Sequence, residues 1–208
     1  MDPWFRILVT EKIDEAGIRL LEEVGEVKLA SSTSQEVLEE ESRDKDAIVI
    51  RALGRVTERL IARAPRLKVA GRHGVGVDNV DVGAATRHGV VVVYTPEANA
   101  EAVADYAVGL MIAVARRIVE ADYALTAEGN WKARYELIGS DVYGKTLGII
   151  GLGRIGVRVA RRARGFDMNV LAYDAYVSEA LAAQVDAKLV DLDSLLQGSD
   201  IVTIHVPL

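Results

Sequence analysis

The segment Gly151-Leu152-Gly153-Arg154-Ile155-Gly156 follows the apolar run Leu147 to Ile150 and opens a stretch with helical apolar spacing at Ile155, Val159, Ala160 and Ala163. A G-x-G-x-x-G pattern between a strand and a helix suits a dinucleotide. Gly151 permits the tight turn, Gly153 lets the backbone approach a pyrophosphate, and Gly156 lets the helix pack closely on the strand. The unpaired N–H groups and positive dipole end of that helix then face the phosphates, and Arg154 either adds charge at the same edge or is a solvated surface residue. The next apolar run, Asn169 to Tyr173, ends at Asp174, about 20 residues beyond the glycines, where a carboxylate can accept hydrogen bonds from both ribose hydroxyls. That predicts NAD over NADP. A 2′-phosphate would meet like charge at Asp174, and Ala175-Tyr176-Val177-Ser178 offers no Arg or Lys to receive it. Asp174 alone could equally be a surface acid in a turn; strand, glycine loop, helix, strand and acid together favour the ribose role.

A second cluster lies earlier. Lys68 to Asn79 reads as a strand running into a glycine-rich turn, Gly74-Val75-Gly76, with Arg72 beside it. Exposed backbone N–H groups next to a guanidinium suit a carboxylate or phosphate. Arg51 sits just past the run Ala47 to Ile50, so two arginines at the ends of neighbouring strands suggest an anionic ligand; the alternative is that both are ordinary solvated charges. His205-Val206-Pro207-Leu208 follows the run Ile201 to Ile204, at a strand's C-terminal end, where open α/β sheets bind ligands. His205 is read as positioning backbone near the cofactor rather than as a base, and His73 and His88 as turn residues.

The elements that must position these residues are legible as an alternation. Phe5 to Val9, Val27 to Ala30, Ala47 to Ile50, Leu67 to Ala70 and Val90 to Tyr94 read as strands. Between them, Ile13 to Val24 has apolar residues near a 3.6 period, Thr57 precedes a helix that must end near Pro65, and Asp81 can cap another that stops at Gly89. After Pro96 comes one long helical stretch, Glu101 to about Glu128. A second alternation follows: strand Thr146 to Ile150, helix Arg154 to Arg164, strand Asn169 to Tyr173, a helix through Ala182, strand Lys188 to Val190, helix Leu192 to Gln197 and strand Ile201 to His205. Strand and helix repeated in this way imply parallel sheets with helices on both faces. The fold class is therefore α/β with two parallel-sheet domains, residues 1–98 and 99–208.

Composition narrows the function. The 208 residues are 50% apolar and 27% charged, so disorder of the whole chain is excluded. Lys plus Arg total 25 against 31 Asp plus Glu, a net charge of −6, which gives no general attraction to nucleic acid. The absence of cysteine excludes disulfides, thiolate metal sites and a Cys nucleophile, and fits the cytoplasm. No metal is expected. The N-terminal MDPWFRILVT does not read as a secretion signal, and the most apolar window, Ala107 to Ala115, is about half the length that spans a bilayer, so no membrane partner is expected.

Taken together, GRHGVGVDNVDVGAATRHGVVVVYTPEAN, the Gly129 to Trp131 segment GNW, YGKTLGIIGLGRIG, the Asp174 strand end and HVPL resemble the D-isomer-specific 2-hydroxyacid dehydrogenases. The resemblance covers nearly the whole chain from Lys68 onward and is weaker before it. It implies a substrate-binding domain of flavodoxin-like topology and a Rossmann-type NAD-binding domain, with the active site in the cleft between them and a homodimer interface over Glu101 to Trp131. By motif, Arg51, Arg72 and the turn Gly74, Val75, Gly76 match substrate-anchoring positions, for a small anionic 2-hydroxy or 2-oxo acid. Gly151, Gly153, Arg154, Ile155, Gly156, Asp174, His205, Val206 and Pro207 match the cofactor contacts. Within the family, 3-phosphoglycerate is the favoured substrate, serving serine biosynthesis, with glyoxylate or hydroxypyruvate as alternatives; an NAD-binding, corepressor-like protein without catalysis is the rival. Two departures stand out. Ala104-Asp105 replaces the family's common Ala-Glu, which puts a cap or hinge role there in doubt. The family's catalytic Arg, Glu and His follow the HVPL segment, so no catalytic residue is assigned within this chain, the Rossmann domain is expected to be incomplete at its C-terminus, and the chain is expected to be a fragment, inactive alone.

Overall fold

Residues 4–206 are described by a computed structural model, and the chain divides into two units, Met1–Asn99 and Ala100–Leu208. The first unit carries five strands, β1 (Phe5–Val9), β2 (Gly25–Leu29), β3 (Ala47–Ile50), β4 (Val69–Arg72) and β5 (Val91–Tyr94), with helices α1 (Glu15–Glu22), α2 (Gln35–Glu41), α3 (Glu58–Arg63) and α4 (Val82–Arg87) between them. The sheet is parallel throughout in the order β2-β1-β3-β4-β5, the flavodoxin-like arrangement. Ile7, Leu8 and Val9 are all buried, as consecutive residues must be in a parallel strand covered on both faces. Leu8 sits in a core with Leu38, Ile48, Ile50, Val56 and Leu60.

Helix starts follow local chemistry. Asp14, Thr57 and Asp81 accept hydrogen bonds from Ala16, Leu60 and Ala84 N–H groups at 2.8, 3.2 and 2.8 Å, satisfying donors that the first turns of α1, α3 and α4 leave open. Helix α2 has no counterpart in the sequence reading, because QEVLEEE has too few apolar residues to establish a period. Tertiary contacts hold it instead: Leu38 is fully buried, and the buried Glu39 carboxylate pairs with Arg59 at 2.9 Å and Arg63 at 3.2 Å. Strand β4 runs on to Arg72 rather than ending at Ala70, because Ile50 and Arg72 are paired in the sheet, which fixes Arg72 at the sheet's C-terminal edge.

Asp46 links β1 and β3 from below. Burial pushes its carboxyl upward, but the Arg6 N–H at 3.0 Å and the Arg66 guanidinium outweigh that and hold it below the usual carboxylate range. A depressed folded-state value means that its contribution is present above the unfolded-state pKa and is lost as pH falls through the lower folded-state value. Asp46→Asn is expected to destabilise the first unit by about 1–3 kcal/mol at neutral pH, with the difference from the native chain vanishing in acid. Urea unfolding at pH 7 and pH 3 measures both; a pH-independent difference counts against the carboxylate's role.

The second unit starts with α5 (Ala100–Ala115) and α6 (Ile118–Thr126), then a short 3-10 helix at Trp131–Tyr135. It continues with β6 (Thr146–Ile150), α7 (Arg154–Arg164), β7 (Asn169–Tyr173), α8 (Glu179–Ala183), β8 (Ala187–Leu189), α9 (Leu192–Gly198) and β9 (Ile201–Ile204). Its sheet is parallel in the order β8-β7-β6-β9, with Leu147, Ile149, Val159, Ala160, Met168 and Ala172 at the centre of the core.

The continuous helix expected from Glu101 to Glu128 is instead two helices. Arg117 between them adopts a left-handed conformation at φ 53°, and the Ala115 carbonyl accepts a hydrogen bond from Ser140 N–H at 2.7 Å rather than from the next turn. Gly139 makes this approach possible, since a Cβ there would lie 2.5 Å from the Ala115 oxygen and 2.7 Å from Arg116 Cα. A run rich in Ala, Val and Leu carries no local stop signal, so the break is imposed from a distance.

Candidate functional site

In the second unit the strand order reverses between β6 and β9, and ligands of open α/β sheets bind beyond the carboxyl ends at such a point. The glycine loop leaves β6 there. Gly151 has φ +94°, and a Cβ on it would lie 2.9 Å from the His205 carbonyl and 2.8 Å from Val206 Cγ1. His205 N–H donates to the Ile150 carbonyl at 2.8 Å, so the segment after β9 is laid directly against the glycine turn. At Gly156 a Cβ would fall inside contact of the Gly151 carbonyl and 3.2 Å from Ile149 Cγ2, which is the helix-on-strand approach the motif demands.

Gly153 differs from both. Its φ is −79°, which any residue can adopt, and a Cβ would meet nothing within 4 Å. The protein's own packing gives no reason for glycine at this position, whereas a ligand drawn close to the backbone does. Gly153 also caps α7 without a side-chain hydrogen bond, while Ser178 and Asp191 cap α8 and α9 through theirs. Gly153 thus brings no side-chain acceptor of its own to the start of α7, where an anion would sit.

Asp174 stands at the end of β7, alongside the loop. One carboxylate oxygen accepts from Leu152 N–H at 2.9 Å, and the other from Tyr176 and Val177 N–H at 2.8 and 3.2 Å. The acid thus ties the glycine turn to the neighbouring strand as well as presenting charge. Ile155 is partly buried against the core, and Arg154 lies on the exposed side of the first turn of α7, its carbonyl accepting from Arg158 at 2.8 Å. The His205 imidazole is partly buried, which holds its pKa below the usual range, and its Nε2 is 3.0 Å from Thr203 Oγ1. Pro207 lies outside the described residues.

Behind the loop, α7 is fastened to α5. Arg158 and Arg162 reach Glu101 at 2.5 and 2.8 Å, and Arg162 Nε reaches Asp105 at 2.6 Å. Hydrogen bonds from Arg162 and Arg158 hold the Glu101 carboxyl below its ordinary range. Asp105, the residue that departs from the family's Ala-Glu, is thus part of a clamp between two helices, with Ala104 fully buried beside it.

In the first unit the order changes between β1 and β3, and Arg51 leaves β3 at that edge. Arg72 ends β4, its Nε donating to Asn79 Oδ1 at 3.0 Å and one terminal nitrogen donating to the His73 carbonyl. Gly74 has φ +153°, a conformation L side chains rarely adopt, and the Arg72 guanidinium occupies the space a Cβ would need. Val75 and Gly76 are exposed at the turn's outer side. The residues read from sequence as acid-anchoring thus gather in the first unit, and the described residues read as cofactor-binding gather in the second. Sequence reading missed Glu11 and Asn79. Glu11 accepts from Ala52 and Leu53 N–H, both at 2.8 Å, and Asn79 donates to the Arg51 and Gly54 carbonyls. Glu11 carries a weak signal, an acid just past β1, whereas nothing in the chain separates Asn79 from any other turn asparagine.

Two parallel sheets, one of flavodoxin-like order and one with a glycine loop and an acid at its switch point, define an α/β dinucleotide-binding architecture. Residues 7–203 match the profile of the D-isomer specific 2-hydroxyacid dehydrogenase catalytic domain, and the chain belongs to that family. It is 46% identical over 204 residues to a D-3-phosphoglycerate dehydrogenase of Methanocaldococcus jannaschii, covering 98% of this chain and 38% of the relative. It is 41% identical to a glyoxylate reductase of Korarchaeum cryptofilum, covering 98% of this chain and 63% of the relative. Among solved structures, D-lactate dehydrogenase from Aquifex aeolicus, complexed with NAD and lactic acid, superposes with a TM-score of 0.84 at 28% identity, over 97% of this chain and 61% of that one. The chain therefore spans well under half the length of the phosphoglycerate dehydrogenase relative and under two thirds of the other two.

Proposed function

We propose that this chain supplies the acid-anchoring unit and the NAD-binding unit of a D-2-hydroxyacid dehydrogenase, the first being residues 1–98 and the second 99–208. The observation that carries the reading is Gly153: a glycine with ordinary φ and open space around it, at the start of α7 and beside the Asp174-braced turn. Backbone N–H groups of α7 would hold the pyrophosphate, Asp174 the adenine ribose, and the main chain at His205 and Val206 the wall across Gly151. NAD held there would supply the hydride acceptor for C2 of a 2-hydroxy acid, the hydroxyl proton leaving to a base that is not assigned within this chain. Arg51, Arg72 and the Gly74–Gly76 turn orient the acid through its anionic groups. No base is assigned among His73, His88 and His205.

Two arginines with a glycine turn favour a substrate carrying a second anion, and 3-phosphoglycerate is the proposed substrate, with serine synthesis as its outlet. The similarity to a glyoxylate reductase supports a second reading, glyoxylate or hydroxypyruvate reduction. Comparing kcat/KM of the intact protein for 3-phosphoglycerate oxidation and glyoxylate reduction decides between them. Turnover of glyoxylate alone defeats the phosphate assignment, and NAD binding with no turnover of either favours a binding protein.

Within the described residues no helix is long and apolar enough to cross a membrane, and a cytoplasmic location is proposed. We further propose a homodimer through the Glu101 to Trp131 region, where Tyr106, Val119, Tyr123 and Trp131 are each more than half exposed. Exposed apolar patches of this kind mark association surfaces. Light scattering of the intact protein is expected to give the mass of two chains, and Tyr123→Glu to shift it towards one; a one-chain mass for the native protein overturns the assignment.

A further inference from the structure

Asn79 follows the glycine turn and takes no part in the proposed function as stated, yet its side chain is hydrogen-bonded to the Arg72 guanidinium and to the Arg51 main chain. It is only 7% exposed. Its amide oxygen accepts from Arg72 Nε at 3.0 Å, and its amide nitrogen donates to the Arg51 carbonyl at 3.2 Å and the Gly54 carbonyl at 3.4 Å. Both amide hydrogens therefore have partners, and the oxygen faces a cation. Its backbone is fixed as well, with the Asn79 carbonyl accepting from Val56 N–H at 2.9 Å and Val80 bridging Val56.

We propose that Asn79 is a positioning residue that binds the Arg72 guanidinium and the Arg51–Gly54 loop into one rigid anion-binding rim. The proposal rests on the reading of Arg51 and Arg72 as anchors of the acid. From the other side, Glu11 accepts the Ala52 and Leu53 N–H groups, so two of the loop's donors and, through Asn79, two of its carbonyls are satisfied within the unit. Arg72 is held by the Asn79 oxygen on Nε and by the His73 carbonyl on one terminal nitrogen, while Nη2 has no hydrogen bond among the described residues. An arginine oriented in advance does not lose its rotamer freedom when an anion arrives, and its unused edge is presented in a fixed direction.

The side-chain chemistry at position 79 is selective. An aspartate would keep the acceptor for Arg72 but turn oxygen towards two carbonyl oxygens and neutralise the guanidinium. An alanine would free the arginine and leave both carbonyls unpaired. A residue that merely closed the turn would need only the backbone bonds; the bond to Arg72 is the one that a purely structural role leaves unexplained.

The test is a double-mutant cycle in the intact protein, with 3-phosphoglycerate and glyoxylate as probes. Asn79→Ala is expected to raise the KM for the acid about tenfold, with the KM for NAD unchanged and kcat changed less than about twofold. In an Arg72→Ala background the same substitution is expected to add less than about twofold, because the group through which it acts is gone. Asn79→Asp, which retains a near-isosteric side chain should the alanine variant fail to fold, is expected to raise the acid KM at least as far. An Asn79→Ala effect of the same size with and without Arg72, or an unchanged acid KM in both Asn79 variants while Arg72→Ala raises it, overturns the positioning role and leaves the proposed function standing. An acid KM indifferent to Arg72→Ala itself removes the anchor reading, and the inference falls with it.

Discussion

Asp174→Ala is expected to weaken NAD binding by about 10- to 100-fold and to narrow the gap between NAD and NADP. A hydrogen bond to a charged acceptor is worth about 1.5–3 kcal/mol and each 1.4 kcal/mol is tenfold in affinity; because the freed ribose hydroxyls regain water, the pair together is expected to cost about what one such bond is worth. The same carboxylate accepts Leu152 N–H at 2.9 Å, so its removal also loosens the turn proposed to cradle the phosphates. The two contributions separate by cofactor. With alanine at this position, NAD forfeits its ribose hydrogen bonds, whereas the 2′-phosphate of NADP is relieved of charge repulsion, so NADP should weaken less than NAD or bind more tightly than before. If Asp174 acts only by bracing the loop, both cofactors weaken alike. Calorimetric titration of the intact protein with each cofactor reads both, and Asp174→Asn, which keeps an acceptor but not the charge, should lie between native and alanine for NAD. Unchanged affinity for both overturns the ribose assignment.

Gly151→Val is expected to have the larger structural effect. The position has φ +94°, which a β-branched residue resists, and its side chain would enter the space of the His205 carbonyl and Val206 Cγ1. Backbone strain of about 1–3 kcal/mol and overpacking of about 1–3 kcal/mol add to a loss comparable to much of a small domain's stability. NAD binding and the unfolding transition should both be abolished or sharply lowered. Gly153→Ala is the contrasting experiment. With nothing within 4 Å of its Cβ, it should leave the melting temperature almost unmoved while weakening NAD binding, since the methyl group would stand where the proposed site brings the pyrophosphate. Equal effects of the two substitutions on stability, or an unaffected NAD affinity in Gly153→Ala, count against a pyrophosphate at this turn.

Much of this architecture could be read in advance because it is written locally. Apolar runs such as Phe5–Val9 and Thr146–Ile150, the caps Thr57 and Asp81, and the glycine spacing from Gly151 to Gly156 each act within a few residues of themselves. Period and capping therefore sufficed to give alternating strands and helices, and the acid after β7 could be found by counting.

What escaped was settled between segments remote in sequence. The break at Arg117 depends on Ser140 reaching the Ala115 carbonyl, and α2 on Leu38 finding a core. Arg72 gains its direction from Asn79, and the Arg51 loop its shape from Glu11. The sequence by itself determined which residues are candidates for a dinucleotide and an acid, because hydrogen-bonding groups and backbone permission belong to residue types. Only the tertiary structure decided how those groups are aimed, because the partners that fix a guanidinium or a helix end are brought into range by chain folding and leave no period or spacing behind them.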